Sequence, residues 1–201
     1  MKRLLAYLFL VLVLIFSLQS WTRADDIRDF EIEGISIGDS LLNYFSEEEI
    51  QENIFKDYPG SDKYKRFFSW KHKSFEIYEG VQVNFKKNDK KYIIKSLTGE
   101  IKYPNGNNDD CYKLMSDIKN EISELFPNIE KHSYKNEPKR IDPSGASTMS
   151  ATEWLFLSGD GIQVSCSDYS KEFEKKNQFD DLSVALDTKD FINFLRNEAY
   201  K

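Results

Sequence analysis

Apolar positions recur along this chain with distinct periods, and the period changes mark its elements. Val81, Val83 and Phe85 alternate with polar residues, as do Ile162, Val164 and Cys166, and Leu182, Val184 and Leu186 recur at every second position. That period of two predicts half-buried strands. Cys111, Leu114, Met115, Ile118, Ile122, Leu125 and Phe126 are spaced by threes and fours, which predicts a helix over 109–126 that Pro127 ends. The run from Leu4 to Leu18 has no period; it is apolar except for Ser17.

Further elements follow from turn and cap chemistry. Asp39–Phe45 predicts one or two helical turns, and Ser46-Glu47-Glu48-Glu49 has capping-box spacing for a helix to about Phe55. Pro59-Gly60 is a turn. Strands are predicted over 66–72, 75–85 and 91–103, the last interrupted at Gly99, with a hairpin turn at Asn88-Asp89. Residues 128–148 carry Pro138, Pro143 and Gly145 among polar side chains and read as a long surface loop. Strands follow at 152–157 and 162–169 around Ser158-Gly159-Asp160-Gly161, then the strand at Leu182–Leu186. Thr188 or Asp187 caps a last helix that buries Phe191, Phe194 and Leu195. The fold class is therefore α+β, an antiparallel β-meander with packing helices. Gly80-Val81-Gln82-Val83 echoes Gly161-Ile162-Gln163-Val164, which suggests two ββ(β)α halves.

Met1-Lys2-Arg3 before the short apolar run has the form of a secretory signal, since a membrane span needs roughly 20 apolar residues. Thr22-Arg23-Ala24 places cleavage after Ala24, leaving one exported domain over 25–201 with no membrane span and a periplasmic location. Retention as an N-terminal anchor is the alternative. Cys111 and Cys166 are the only cysteines; an even count in an exported chain, both on apolar faces, predicts a disulfide between helix and sheet.

Composition narrows the function. The chain is 40% hydrophobic and 31% charged, which fits a folded domain, and its net charge of −6 argues against a nucleic-acid partner. Charge is uneven: residues 25–55 sum to −9, 56–102 to +6 and 103–201 to −6. Either the acidic segment packs on the basic middle, or Lys86, Lys87, Lys90 and Lys91 form an exposed basic hairpin for an envelope protein or an anionic envelope polymer. Phe67, Phe68, Trp70, Phe75 and Tyr78 either fill a core or stack on sugar or peptide.

Catalytic and metal patterns are incomplete. Asn105, Asn107 and Asp109 alternate like part of a calcium loop, but Ser116 stands where a bidentate Glu belongs. No phosphate-cradling or dinucleotide loop is present, and no cofactor or metal is expected. Gly34-Ile35-Ser36-Ile37-Gly38 matches G-x-S-x-G, Gly38-Asp39-Ser40-Leu41 spells the signature of the GDSL esterases, and Gly106-Asn107-Asn108-Asp109 resembles that family's oxyanion block. That resemblance implies a serine esterase using Ser40. The family's Asp-x-x-His is missing: Ser69 and Ile129 precede His72 and His132 by three residues. Without a base the serine hydroxyl is a poor nucleophile. The expected role is thus a non-catalytic periplasmic binding or envelope accessory protein, with no catalytic residue assigned.

Asp26-Ile27-Arg28-Asp29-Phe30-Glu31-Ile32-Glu33-Gly34-Ile35-Ser36-Ile37-Gly38-Asp39-Ser40-Leu41-Leu42 resembles the opening of a group of small exported proteins of marine alphaproteobacteria. Ser158-Gly159-Asp160-Gly161-Ile162-Gln163-Val164-Ser165-Cys166 is similar to their C-terminal hairpin. The resemblance implies export and a shared fold, and it transfers no catalytic residue. The short helix after Gly38 leading into a meander is similar, at the level of fold alone, to small outer-membrane assembly accessory domains.

Overall fold

A computed structural model describes residues 26–55, 58–103, 108–139, 141–176 and 178–201. The segment expected to be a signal, with the expected cleavage after Ala24, and Asn105-Gly106-Asn107 lie outside the described residues.

Eight strands form one antiparallel sheet: β3 (Ile54–Phe55), β4 (Tyr64–Trp70), β5 (Gly80–Lys86), β6 (Ile94–Lys102), β7 (Glu130–Pro138), β8 (Thr148–Leu155), β9 (Gly161–Asp168) and β10 (Asp181–Asp187). Their spatial order is β3-β4-β5-β6-β10-β9-β8-β7. Each half is a four-stranded meander, and the two last strands meet at a central seam. A small hairpin precedes them, β1 (Glu31–Ile32) and β2 (Ile35–Ser36). Glu33 and Gly34 turn it with φ of 54° and 74°, as a two-residue turn of the I′ kind requires. The helices are α1 (Glu47–Glu52), α2 (Asn108–Leu125), α3 (Lys171–Glu174) and α4 (Lys189–Asn197).

Alternation sorts the two faces of the sheet. Val81, Val83, Phe85, Leu97, Ile162, Val164, Leu182 and Leu186 share one face and are buried. Over the first half that face is covered by Ile27, Ile32, Ile35, Ile37 and Leu41 of the N-terminal segment, and over the second half by Cys111, Met115 and Ile122 of α2. The acidic lead-in therefore supplies core, and it lies against the basic middle of the chain. Gly38 N–H donates to Ile94 O at 3.0 Å and Leu41 N–H to Tyr92 O at 3.0 Å. Cys111 and Cys166 are joined, with Cα atoms 6.1 Å apart, so the first turn of α2 is tied to β9.

The opposite face is polar, and α4 covers one end of it. Thr188 accepts from Phe191 N–H at 3.4 Å and starts the helix. Phe191 and Phe194 then pack on Tyr64 and Tyr58, forming a second core cluster. The two halves consequently carry their helices on opposite faces.

Several expectations need correction. Residues 130–138 are not loop but the edge strand β7, exposed at every position. It is paired on one side only and touches α2 through an exposed hydrogen bond, Lys131 Nζ to Ser123 Oγ at 3.4 Å, so nothing forces an apolar alternation, and its charges blunt the open edge. A short fourth strand, β3, likewise extends the first half. Gly99 does not interrupt β6: it is buried there because the Tyr78 ring lies where a side chain would be. The capping box of Ser46 and Glu49 is present, but α1 ends at Glu52 so that β3 can pair with β4.

Candidate functional site

The residues singled out from the sequence fall into structural roles. Ser40 caps a 3-10 turn, Leu41–Asn43: its Oγ accepts from Leu42 N–H at 3.3 Å and donates to Lys91 O at 2.6 Å. His72 sits after β4, where Nδ1 meets Ser74 Oγ at 2.7 Å and the ring packs on Phe45. His132 lies on the far edge strand β7, paired with Glu153. Neither imidazole is a partner of Ser40. At the basic hairpin Lys86 pairs with Asp190 at 3.9 Å and Lys87 with Asp62. Among the described residues no group of acidic, histidine or cysteine side chains is arranged to hold a metal ion. The aromatic set divides: Phe67 is buried against Phe45, whereas Phe68 and Trp70 stack on each other on the open face, centroids 6.0 Å apart.

That open face carries the chemistry. Register places Arg66 on β4, Gln82 on β5, and Glu100 and Lys102 on β6, with Asp181 on β10 opposite Lys102. They line a cleft of about 490 Å³. Its rim is apolar. Phe55, Ile141 and Phe179 are 52%, 47% and 37% exposed and all three face this one cleft, so it holds a third of the large exposed apolar residues among those described. Isolated exposed apolar residues need no explanation, whereas convergence on one concavity does.

The cations in and beside the cleft are held by rings. The Arg66 guanidinium lies over Tyr58 at 4.4 Å and Phe55 at 5.3 Å. Lys102 Nζ lies 3.9 Å from the Trp70 ring centre and 4.8 Å from that of Phe179. Lys139 reaches Ser167 Oγ at 2.7 Å and the Tyr169 ring at 4.5 Å. Stacking of this kind fixes a cation without using up its N–H donors. Arg66 Nε is buried and has no hydrogen-bond partner among the described residues.

The acids are crowded. Burial pushes the Glu100 carboxyl up to about 7, and Asp181 beside it adds to the rise, against the pull of Lys102, Lys139 and Arg66. Burial also raises Asp181, opposed by Lys139 and by hydroxyls of Ser167 and Ser183. The reverse holds for Lys139, which burial lowers. The Glu100 side chain keeps some contact with solvent at the cleft floor and makes no hydrogen bond to another described residue.

A second, smaller cleft of about 240 Å³ lies beneath α4 on the same face. There Gln163 donates to Glu153 at 2.7 Å and Tyr134 donates to its other oxygen at 3.0 Å, so that carboxylate is paired at both oxygens. Asp187 differs: its Oδ1 is buried without a partner, and burial pushes its carboxyl up to about 6.

Sequence reasoning missed Arg66, Gln82, Glu100, Lys102 and Asp181. The signal was there in part: Ser96, Thr98, Glu100 and Lys102 are polar at every second position of one strand. What the pattern lacks is the knowledge that β6 and β10 are central, so that their polar sides form a floor.

No protein-family model matches the chain, and neither a curated protein nor a solved structure matches it.

Proposed function

We propose that the protein is an exported, non-catalytic binding module of the cell envelope, and that its ligand seats in the cleft on the open face of the sheet. One observation carries this reading: Arg66, Gln82, Glu100 and Lys102 converge on a concave surface, ringed by exposed apolar side chains, without hydrogen-bonding to one another. Polar groups removed from bulk water ordinarily find protein partners. Groups left open at the floor of a cleft are available to a ligand.

Export is supported by the charged start and short apolar run ahead of Ala24, and by the Cys111–Cys166 pair, which suits an oxidising compartment. Among the described residues no helix is long and apolar enough to cross a membrane. An envelope protein or an anionic envelope polymer is the proposed partner.

The test is a photo-crosslinking amino acid placed at Gln82 on the cleft floor, or at Asp117 on the solvent side of α2, in the full chain expressed with its signal. The expected result is a mature species beginning at Asp25 and envelope adducts from position 82 alone. Equal adduct formation from both positions, or none from 82, overturns the reading.

A further inference from the structure

The donors and acceptors of the cleft restrict what can fill it. The lining cations Arg66, Lys102 and Lys176 only donate hydrogen bonds, so a ligand must bring an acceptor, and an anion suits them best. Ionised Glu100 and Asp181 only accept, so the same ligand must also bring donors. Three lining cations face two lining acids, with Lys139 buried beside them, so the cleft is positive when both acids are ionised. A dianion would meet the carboxylates at close range, and a metal cation would meet the lysines. A neutral apolar molecule would strand the charges without water. A monoanion rich in hydroxyl groups satisfies both sets. The exposed rings of Phe55 and Phe179, with Phe68 also lining the cleft, add apolar walls suited to the C–H face of a saturated ring. The volume lies within the range of roughly 300–1,000 Å³ usual for small-molecule sites.

We infer that the cleft takes an acidic sugar, a uronic-acid unit whose carboxylate meets Arg66 and Lys102 and whose hydroxyls meet Gln82, Glu100 and Asp181. This rests on the binding reading above and names the ligand class for the same site. Arg66 is the anchor. Its guanidinium is pinned against two rings and lines the cleft, which holds its terminal N–H groups for a carboxylate, while Nε itself is buried. Glu100 couples the site to protons. Facing it are Asp181, Lys102, Lys139 and Arg66, and its proton is retained at mildly acidic pH. With that proton on, the cleft gains positive charge and a donor, so the acid binds more tightly below neutrality.

Calorimetric titration of the disulfide-bonded chain from residue 25 tests this with D-glucuronate, D-glucose and a short oligogalacturonate as probes. Saturable binding of at least one uronate is expected, with glucose weaker by about tenfold or more, the worth of a charge-assisted pair. Uronate affinity is expected to be higher at about pH 6 than at about pH 8. Free glucuronate binding as well as the oligomer marks a monosaccharide site; preference for the oligomer marks a polymer site. Arg66→Gln should abolish the preference for the acid over glucose, and Lys102→Gln, less exposed to folding failure, should reduce it. Glucose binding as tightly as glucuronate, or an acid preference untouched in folded Lys102→Gln and Arg66→Gln, overturns the inference. If the uronates fail while the Gln82 crosslinker still captures an envelope component, only the ligand class falls. If both fail, the binding reading falls with it.

Discussion

Glu100 and Asp187 occupy two-fold-related positions on the central seam of the sheet. Glu100 lies opposite Ser183 and Asp187 opposite Ser96, with Thr98 and Ala185 paired at the midpoint. The neighbouring strands repeat the relation: Gly80 pairs with Glu100 and Gly161 with Asp187. The short Gly-Val-Gln-Val and Gly-Ile-Gln-Val echo therefore falls on matching strands, and the two raised carboxyls are counterparts. Only their surroundings differ, because α4 covers the Asp187 end and leaves the Glu100 end open.

This arrangement sets the pH dependence of stability near neutrality. Both acids have native values raised above their ordinary ones, from 4.5 to about 7 for Glu100 and from 3.8 to about 6 for Asp187. The unfolded chain therefore releases these protons first as pH rises, and stability falls across that window. The urea midpoint should be lower at about pH 7.5 than at about pH 5. Asp187→Asn should flatten that slope and raise stability at the higher pH by roughly 1 kcal/mol, since it removes a charge whose Oδ1 is unpaired. A slope equal to wild type in the Asp187→Asn, Glu100→Gln double variant would contradict this origin.

Glu33 acts in the opposite direction. Its carboxylate accepts from three consecutive amides, Glu76 N–H at 2.8 Å, Ile77 N–H at 2.8 Å and Tyr78 N–H at 2.6 Å. Burial pushes this group up, but the three amide bonds outweigh burial and hold it below its ordinary 4.5. Its contribution is thus present above pH 4.5 and is lost as pH falls through the lower native value. Glu33→Gln should cost about 1–3 kcal/mol near neutrality. Amide exchange at 76–78 should accelerate in this variant while exchange in β9 tracks only the global stability.

Much of this architecture is legible in the sequence, and the missing parts share a physical cause. Strands with one buried face announce themselves, as Val81 and Val83 do, and so do helices with a cap and a stripe, as Thr188 with Phe191 and Phe194 does. Elements whose side chains are set by long-range neighbours do not. β7 has no core to face, β3 has two residues, and Gly99 looks like a break until Tyr78 is folded over it. The cleft is the extreme case, since Arg66, Glu100 and Asp181 are far apart in the chain and meet only through register.

The close approach at Gly99 gives a direct packing test. A Cβ built there falls 2.6 Å from the Tyr78 ring, closer than two carbons can stand. Gly99→Ala should therefore dislodge Tyr78 and loosen residues 71–79, with a cost of about 1–3 kcal/mol, as for other overpacked sites. Gly99→Ala combined with Tyr78→Ala should recover part of that loss, because the clash has gone; the urea midpoints of the two variants decide it.

The Cys111–Cys166 pair closes a loop of 55 residues. On the chain-entropy model a loop of that length contributes about 4 kcal/mol, and measured values commonly fall to about 2–4 kcal/mol. Thiol titration of native protein should find no reactive sulfhydryl, and reduction should lower the urea midpoint accordingly. Because α2 covers only the second half of the sheet, amide exchange in β8, β9 and β10 should respond more than exchange in β4 and β5.

Ser40 separates the two functional readings drawn from the same motif. As a cap, its hydroxyl satisfies Leu42 N–H and anchors the turn to Lys91 O, which ties the N-terminal segment to the hairpin ahead of β6. Ser40→Ala should then cost about 1 kcal/mol of stability. As an esterase nucleophile, it would need a base to take its proton, and its hydrogen is directed to a backbone carbonyl instead. Any acyl-ester turnover in the purified protein should accordingly be the same in wild type and Ser40→Ala once both are assayed well below their unfolding transitions. A turnover that disappears in Ser40→Ala while the urea midpoint stays at the wild-type value would reverse the assignment and make the serine the reacting group.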